Sequence, residues 1–266
     1  MNQITSGLKK ELLYFWRSFR LMGMLILFFG NVLFNVAMAG IMISMNDSLA
    51  ESGIQGTESL SVMAGMFSLD YIYFSALVPI VVIVLILLTG AAGGEQKKRS
   101  IIIPQIAGLS PVGYVLPKFL LYPPMIFVLT IIAAFAANSG CHAILAESYS
   151  FGTVLLTGSL VGVYAVFLVS MYLFLGISLT QPGLSVIYVF VADMFFSSML
   201  IIVFDVDRFT PWNLTGFAND ALFGQVDTAG IAVTVAVTLV FSVIFMLLTL
   251  FSIVAKRMDN SYDEVY

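Results

Sequence analysis

Apolar and polar positions along this chain fall into blocks. Long uncharged stretches alternate with short polar ones, which is how membrane spans read. Six blocks reach the roughly 20 residues a helix needs to cross a bilayer, at about 21–45, 71–92, 115–137, 153–180, 184–204 and 230–254. The third carries Pro117, Pro123 and Pro124, so its start is expected to be bent or to lie near the interface. The fourth and fifth are separated only by TQPG, Thr180–Gly183, a tight turn between antiparallel helices. Ahead of the first span, LKKELLYFWRSFR (Leu8–Arg20) is amphipathic. Leu8, Leu12, Phe15, Trp16 and Phe19 recur on one helical face, with Lys9, Lys10, Arg17 and Ser18 mostly away from it. A helix over 8–20 is expected to lie in the headgroup plane, anchored by Trp16 and Arg17. An ordinary anchor and a force-transmitting elbow are compatible descriptions of it. The expected fold is an all-α polytopic membrane protein: one transmembrane domain over 1–254 with six helices, then a short acidic tail, 255–266, whose end (Met258–Tyr266) is expected to be disordered.

Composition sharpens the class. The chain is 60% hydrophobic and only 10% charged, whereas a soluble domain is about half apolar and about a quarter charged. The distribution of charge then orients it. Lys9, Lys10, Arg17, Arg20, Lys97, Lys98, Arg99, Lys118, Lys256 and Arg257 fall on one side of a six-span arrangement and Arg208 alone on the other, which places both termini in the cytoplasm. The expected location is the plasma membrane of a bacterial cell, and no cleavable signal is expected. A net charge of -4 and a pI near 4.8 offer no basic surface to nucleic acid. A single cysteine, Cys141, excludes an intrachain disulfide and a cysteine metal cluster. His142 beside it adds only a second ligand, too few for a closed zinc site; no metal is expected.

Between the second and third expected spans lies GGEQKKRSIIIPQIAGLSPVGYVLPK, Gly93–Lys118. A charged start is followed by an apolar run too long for a free linker and too short to cross. On physical grounds a membrane-surface helix and a helix pressed against another protein both hide Ile101, Ile102, Ile103 and Ile106. The pattern of Glu95, the basic cluster Lys97, Lys98 and Arg99, an apolar run, then Gly108, Leu109, Ser110, Pro111 and Lys118 resembles the permease of ATP-binding-cassette transporters of the ABC type-2 exporter class. So do the six spans and the amphipathic first helix. FTPWNLTGFAN (Phe209–Asn219) is similar to a Ser/Thr-Pro-aromatic-Asn segment that the family carries outside, before its last span. Pro104 interrupts a run that is usually more helix-friendly, so the coupling helix is expected at this position but with its length open. The resemblance implies that Glu95, Lys97, Lys98, Arg99, Ile103, Gly108, Leu109 and Ser110 form a coupling helix docking on an ATPase subunit. It implies a second permease copy or paralogue as partner.

No Gly-x4-Gly-Lys-Ser/Thr phosphate loop occurs in the chain. It is therefore expected to be no enzyme and to hold no cofactor, with ATP and Mg in the partner ATPase. Asp193 lies in the middle of the fifth expected span, where charge is costly and an acid is a functional candidate. Either it contacts a cation or proton on the transport path, or it is a neutral carboxyl bonded to a neighbouring helix. Asn31 and Asn35, four apart on the first span, share a face and are candidates to bond Asp193 or its copy across a dimer. Gly158-x3-Gly162 permits close helix approach, more often within a chain than between chains. Asn46-Asp47-Ser48 and Asn213-Leu214-Thr215 match the glycosylation acceptor pattern in expected outer loops. Two functional expectations follow. One is a permease exporting an amphipathic drug, peptide or lipid through alternating access driven by a separate ATPase. The other is an ion- or proton-coupled carrier or channel using Asp193. A membrane-embedded enzyme is disfavoured by the lack of any ligand cluster or catalytic constellation.

Overall fold

Three of the described helices start on a capping side chain. Ser110 Oγ accepts from Gly113 N at 3.0 Å, Ser150 Oγ from Thr153 N at 3.2 Å, and Asp227 Oδ1 from Gly230 N at 3.0 Å. Each satisfies an orphan amide of a first turn. A computed structural model describes residues 3–17, 20–51, 88, 110–145, 148–179, 182–199 and 209–263. The helices are α1 (Gln3–Arg17), α2 (Arg20–Glu51), α3 (Pro111–Leu145), α4 (Phe151–Leu179), α5 (Pro182–Met199), a 3-10 turn (Pro211–Asn213), α6 (Leu214–Leu222) and α7 (Thr228–Asp263). No strand occurs among the described residues.

Three of these stretches are long and apolar enough to cross a membrane: Pro111–Ala143, Phe151–Leu179 and Thr228–Ala255. A fourth arises if α1 and the first part of α2, Met22–Met38, count as one bent span. Those two segments meet at 59°, the elbow expected where an amphipathic helix meets a span. The chain is thus an all-helical protein of membrane character. The second expected span, 71–92, lies outside the described residues apart from Leu88. So do Phe19, the coupling residues Glu95, Lys97, Lys98, Arg99, Ile103, Gly108 and Leu109, and the last part of the fifth expected span.

The centre of the bundle is α4, most of which is buried. It runs antiparallel to α3. A Cβ on Gly158 would stand 2.8 Å from Ala134 Cβ, and one on Gly162 2.7 Å from the Phe127 ring. The small-residue pair is therefore the α3–α4 contact, internal packing as the sequence favoured. On the far side of α3 lies α2, running parallel to it, with Val36 against Gly140. Against α4 lie α5, α6 and α7. The buried residues of α7 include Thr234, Thr238 and Ser242, four apart, and further along Thr249 and Ile253. Thr238 and Ser242 donate to the carbonyls of Thr234 and Thr238 at 2.6 and 3.0 Å. Small residues that bond their own helix allow close approach without orphaned polar groups.

Several boundaries move. Helix α1 begins at Gln3, five residues before the expected start. Helix α2 continues through Asn46–Ser48, which were expected in an outer loop. Cys141 and His142 belong to α3 rather than a loop, with Cys141 buried and His142 exposed. Helix α3 is assigned unbroken through Pro117, Pro123 and Pro124. The expected disordered tail is corrected too, since α7 runs on to Asp263.

The segment Phe209–Asn219, expected outside and before the last span, directly precedes α7 and packs against the bundle: Trp212 lies edge-on to Phe167 with ring centroids 5.3 Å apart. Phe167 is about 24 Å along α4 from its start, by helical rise. From that depth the chain climbs along α4 as α6, burying Leu214, Phe217 and Ala218. It reaches the start of α7, where a Cβ on Gly230 would stand 3.0 Å from Phe217 Cζ. The turn closes at Gly224, φ 74°, with Gln225 N donating to Asp220 O at 2.9 Å, the glycine-terminated helix end that only a residue without Cβ takes readily. Phe209–Gln225 therefore packs against the bundle alongside α4, between the level of Phe167 and the start of α7.

Candidate functional site

Two polar constellations sit inside the apolar framework. The first joins α1 to the start of α3, immediately after the loop expected to dock on an ATPase. The inward face of α1 is Gly7, Glu11 and Phe15, a four-residue repeat along one stripe. At its top, Ser110 N donates to Gln3 Oε1 at 3.2 Å. One turn further, a Cβ on Gly7 would stand 2.6 Å from Gly113 O and 2.7 Å from Pro117 Cγ. Only glycine lets the two backbones approach so closely. Next, Lys118 Nζ donates to Glu11 Oε1 at 2.6 Å, and Tyr122 OH to Glu11 Oε2 at 2.9 Å. The two charged side chains are 1% and 4% exposed. Lys118 Nζ also lies 4.9 Å from the Tyr114 ring centroid, and Phe15 packs edge-on to the Tyr122 ring at 6.0 Å.

The energetics of this contact rest on mutual dependence. Either charge alone, buried here, would carry a desolvation penalty of several kcal/mol. Together, with both Glu11 oxygens bonded and the ammonium against an aromatic face, each is satisfied. Separating α1 from α3 would break the pair, so the contact resists separation while α1 stays amphipathic. Its opposite face exposes Leu12 and Trp16, the side expected to meet the headgroup region.

Against the expected site residues, Leu12, Trp16 and Arg17 are exposed on α1, whereas Phe15 turns inward. Ser110 caps α3 and reaches Gln3. Lys118, counted above among the charges that orient the chain, is buried and neutralised. Glu11 was missed. The available signal was its position four residues from both Gly7 and Phe15, but the apolar stripe drew attention to the opposite face.

The second constellation surrounds Asp193, on α5 and half-buried. Tyr164 OH of α4 donates a short hydrogen bond to Asp193 Oδ1. Trp212 Nε1, in the 3-10 turn, donates to the same oxygen at 3.1 Å. The Trp212 ring packs on Phe196 at 5.1 Å as well as on Phe167. The carboxyl thus ties the 3-10 turn to α4 and α5. The expected partners Asn31 and Asn35 are not its partners within the chain. Asn35 Nδ2 donates to Asn31 O at 2.8 Å and Asn31 Oδ1 at 3.3 Å. The physical reason is topological: α2 packs on α3 and α1, and α5 on α4 and the 3-10 turn. Among the described residues no group of three or more His, Cys, Asp or Glu could hold a metal ion. Comparison with protein-family models, with curated proteins and with solved structures finds no match to this chain.

Proposed function

We propose that the chain is the membrane-spanning permease subunit of an ATP-driven exporter of the ABC type-2 kind, working as a pair with a second copy or paralogue and driven by a separate ATPase subunit. The observation that supports this best is the buried Glu11–Lys118–Tyr122 contact. It makes the elbow helix and the start of α3 one mechanical unit at the point where the Glu95–Ser110 loop enters the bundle. A push on that loop would arrive at Ser110, the cap of α3, and be shared with α1 through Gln3, Gly7 and Glu11. Because α3 packs along α4 through Gly158 and Gly162, the displacement would travel into the centre of the bundle as a rigid-body movement rather than dissipate at its edge. The substrate class is an amphipathic molecule moved by alternating access.

The test is purification from membranes in mild detergent through a tag on the C-terminus, with ATP hydrolysis assayed in the eluate. The reading requires an ATP-hydrolysing polypeptide to accompany the intact chain and to be lost with Glu95→Arg. An intact chain that brings down no ATPase would overturn it and would return attention to Asp193 as the titrating group of a carrier.

A further inference from the structure

We infer that Asp193, Tyr164, Trp212 and Phe196 form a binding site for a lipophilic organic cation. Both internal donors land on Oδ1 of Asp193. Among the described residues Oδ2 has no hydrogen-bond partner, and the residue is only half-buried. No cation of the described residues pairs with this carboxyl. An acid half-buried on an apolar helix calls for a partner from somewhere, and here, among the described residues, the chain supplies two neutral donors and leaves the other oxygen open.

The surroundings select the class of partner. The rings of Trp212 and Phe196 lie 5.1 Å apart beside the carboxyl, and Phe195 packs edge-on to Phe196 at 5.6 Å. Phe195, Phe196 and Met194 are exposed on α5, so the approach to Oδ2 is apolar and aromatic. A hard inorganic cation needs about six oxygen ligands to replace its water, and the described neighbours offer one carboxyl. An ammonium or phosphonium centre carried in an apolar body is weakly hydrated and needs no such shell. It gains from ring faces and from one carboxylate in a site of low polarity. An anionic body of the same shape would be repelled. As a statement about what is exported, the inference rests on the exporter reading; as a statement about binding, it does not.

The experiment uses the purified full chain in nanodiscs of zwitterionic lipid. Equilibrium dialysis compares tetraphenylphosphonium with tetraphenylborate, an anion of nearly the same shape. The variant is Asp193→Asn, which keeps an oxygen for Tyr164 and Trp212. Trp212→Phe serves as a second variant that keeps a ring, and thermal melting confirms that each is folded. The expected result is saturable phosphonium binding to the intact chain, weakened at least about tenfold in Asp193→Asn, with no saturable borate binding to either. Equal phosphonium affinity in Asp193→Asn, equal saturable binding of both ions, or none to the intact chain would overturn the inference. Co-purification of an ATPase is read separately. Binding without an ATPase sinks the exporter reading and leaves the site, while an ATPase without binding does the reverse.

Discussion

Lys118→Met should be among the most damaging single substitutions in the described part of the chain. It removes the 2.6 Å bond to Glu11 Oε1 and leaves a buried carboxylate with Tyr122 as its remaining partner in this contact. Breaking a buried pair from one side costs about 3–5 kcal/mol, because the other charge stays uncompensated. At about 2–4 °C per kcal/mol for a chain of this size class, melting in detergent should fall by about 6–20 °C. Glu11→Leu should cost a similar amount, since it strands the ammonium against the Tyr114 ring. The double variant Glu11→Leu/Lys118→Met removes both charges and fills the space with apolar atoms, so it should recover most of the loss. The four proteins form a double-mutant cycle read by thermal melting. Single variants that each shift melting by less than about 2 °C, or a double variant equal to the sum of the singles, would refute the claim that this pair holds α1 to α3.

Other substitutions test separate contacts. Gly7→Ala should weaken the same α1–α3 crossing by about 1–3 kcal/mol, because its Cβ would meet the Gly113 carbonyl at 2.6 Å; thermal melting reads this directly. Gly158→Leu should be worse, since it drives a side chain at Ala134 and the Ile131 backbone, and size-exclusion profiles in detergent should show aggregation where Gly30→Ala, with nothing within 4 Å of its Cβ, behaves as the unmodified chain. Expressed in a glycosylating host, the chain should gain no glycan at Asn213, because that residue is half-buried against the bundle beside buried Leu214; a mass shift lost in Asn213→Gln would contradict the placement.

What was legible in the sequence was whatever local pattern controls. Three of the six uncharged blocks correspond to helices long and apolar enough to cross a membrane, Phe151–Leu179 lying within two residues of the expected start and one of the expected end. The glycine pair in α4 was read correctly as internal packing because a four-residue spacing defines a face. The misses have a common cause. Glu11 looked like one more charge on an amphipathic helix, since nothing local reveals that Lys118 lies opposite it, 107 residues away in sequence. Nothing local in Phe209–Asn219 reveals that it packs against the bundle, since its position depends on Trp212 finding Asp193 and Phe167. Asn31 and Asn35 do not meet Asp193 within the chain because α2 packs on α3 whereas α5 packs on α4, a pairing that polarity alone does not reveal.

The most direct measurement of the central claim is the rate of ATP hydrolysis by the affinity-purified complex reconstituted in liposomes. It should be compared for the intact chain, Glu95→Arg and Lys118→Met, the last assayed below its melting temperature. The account predicts an associated ATPase with the intact chain and none with Glu95→Arg. With Lys118→Met it predicts an ATPase that stays bound but is stimulated less, because breaking the pair from one side loosens the elbow from α3. An intact chain with no associated hydrolysis would contradict the account at its root. Unaltered stimulation with Lys118→Met would contradict the coupling role given to the buried pair.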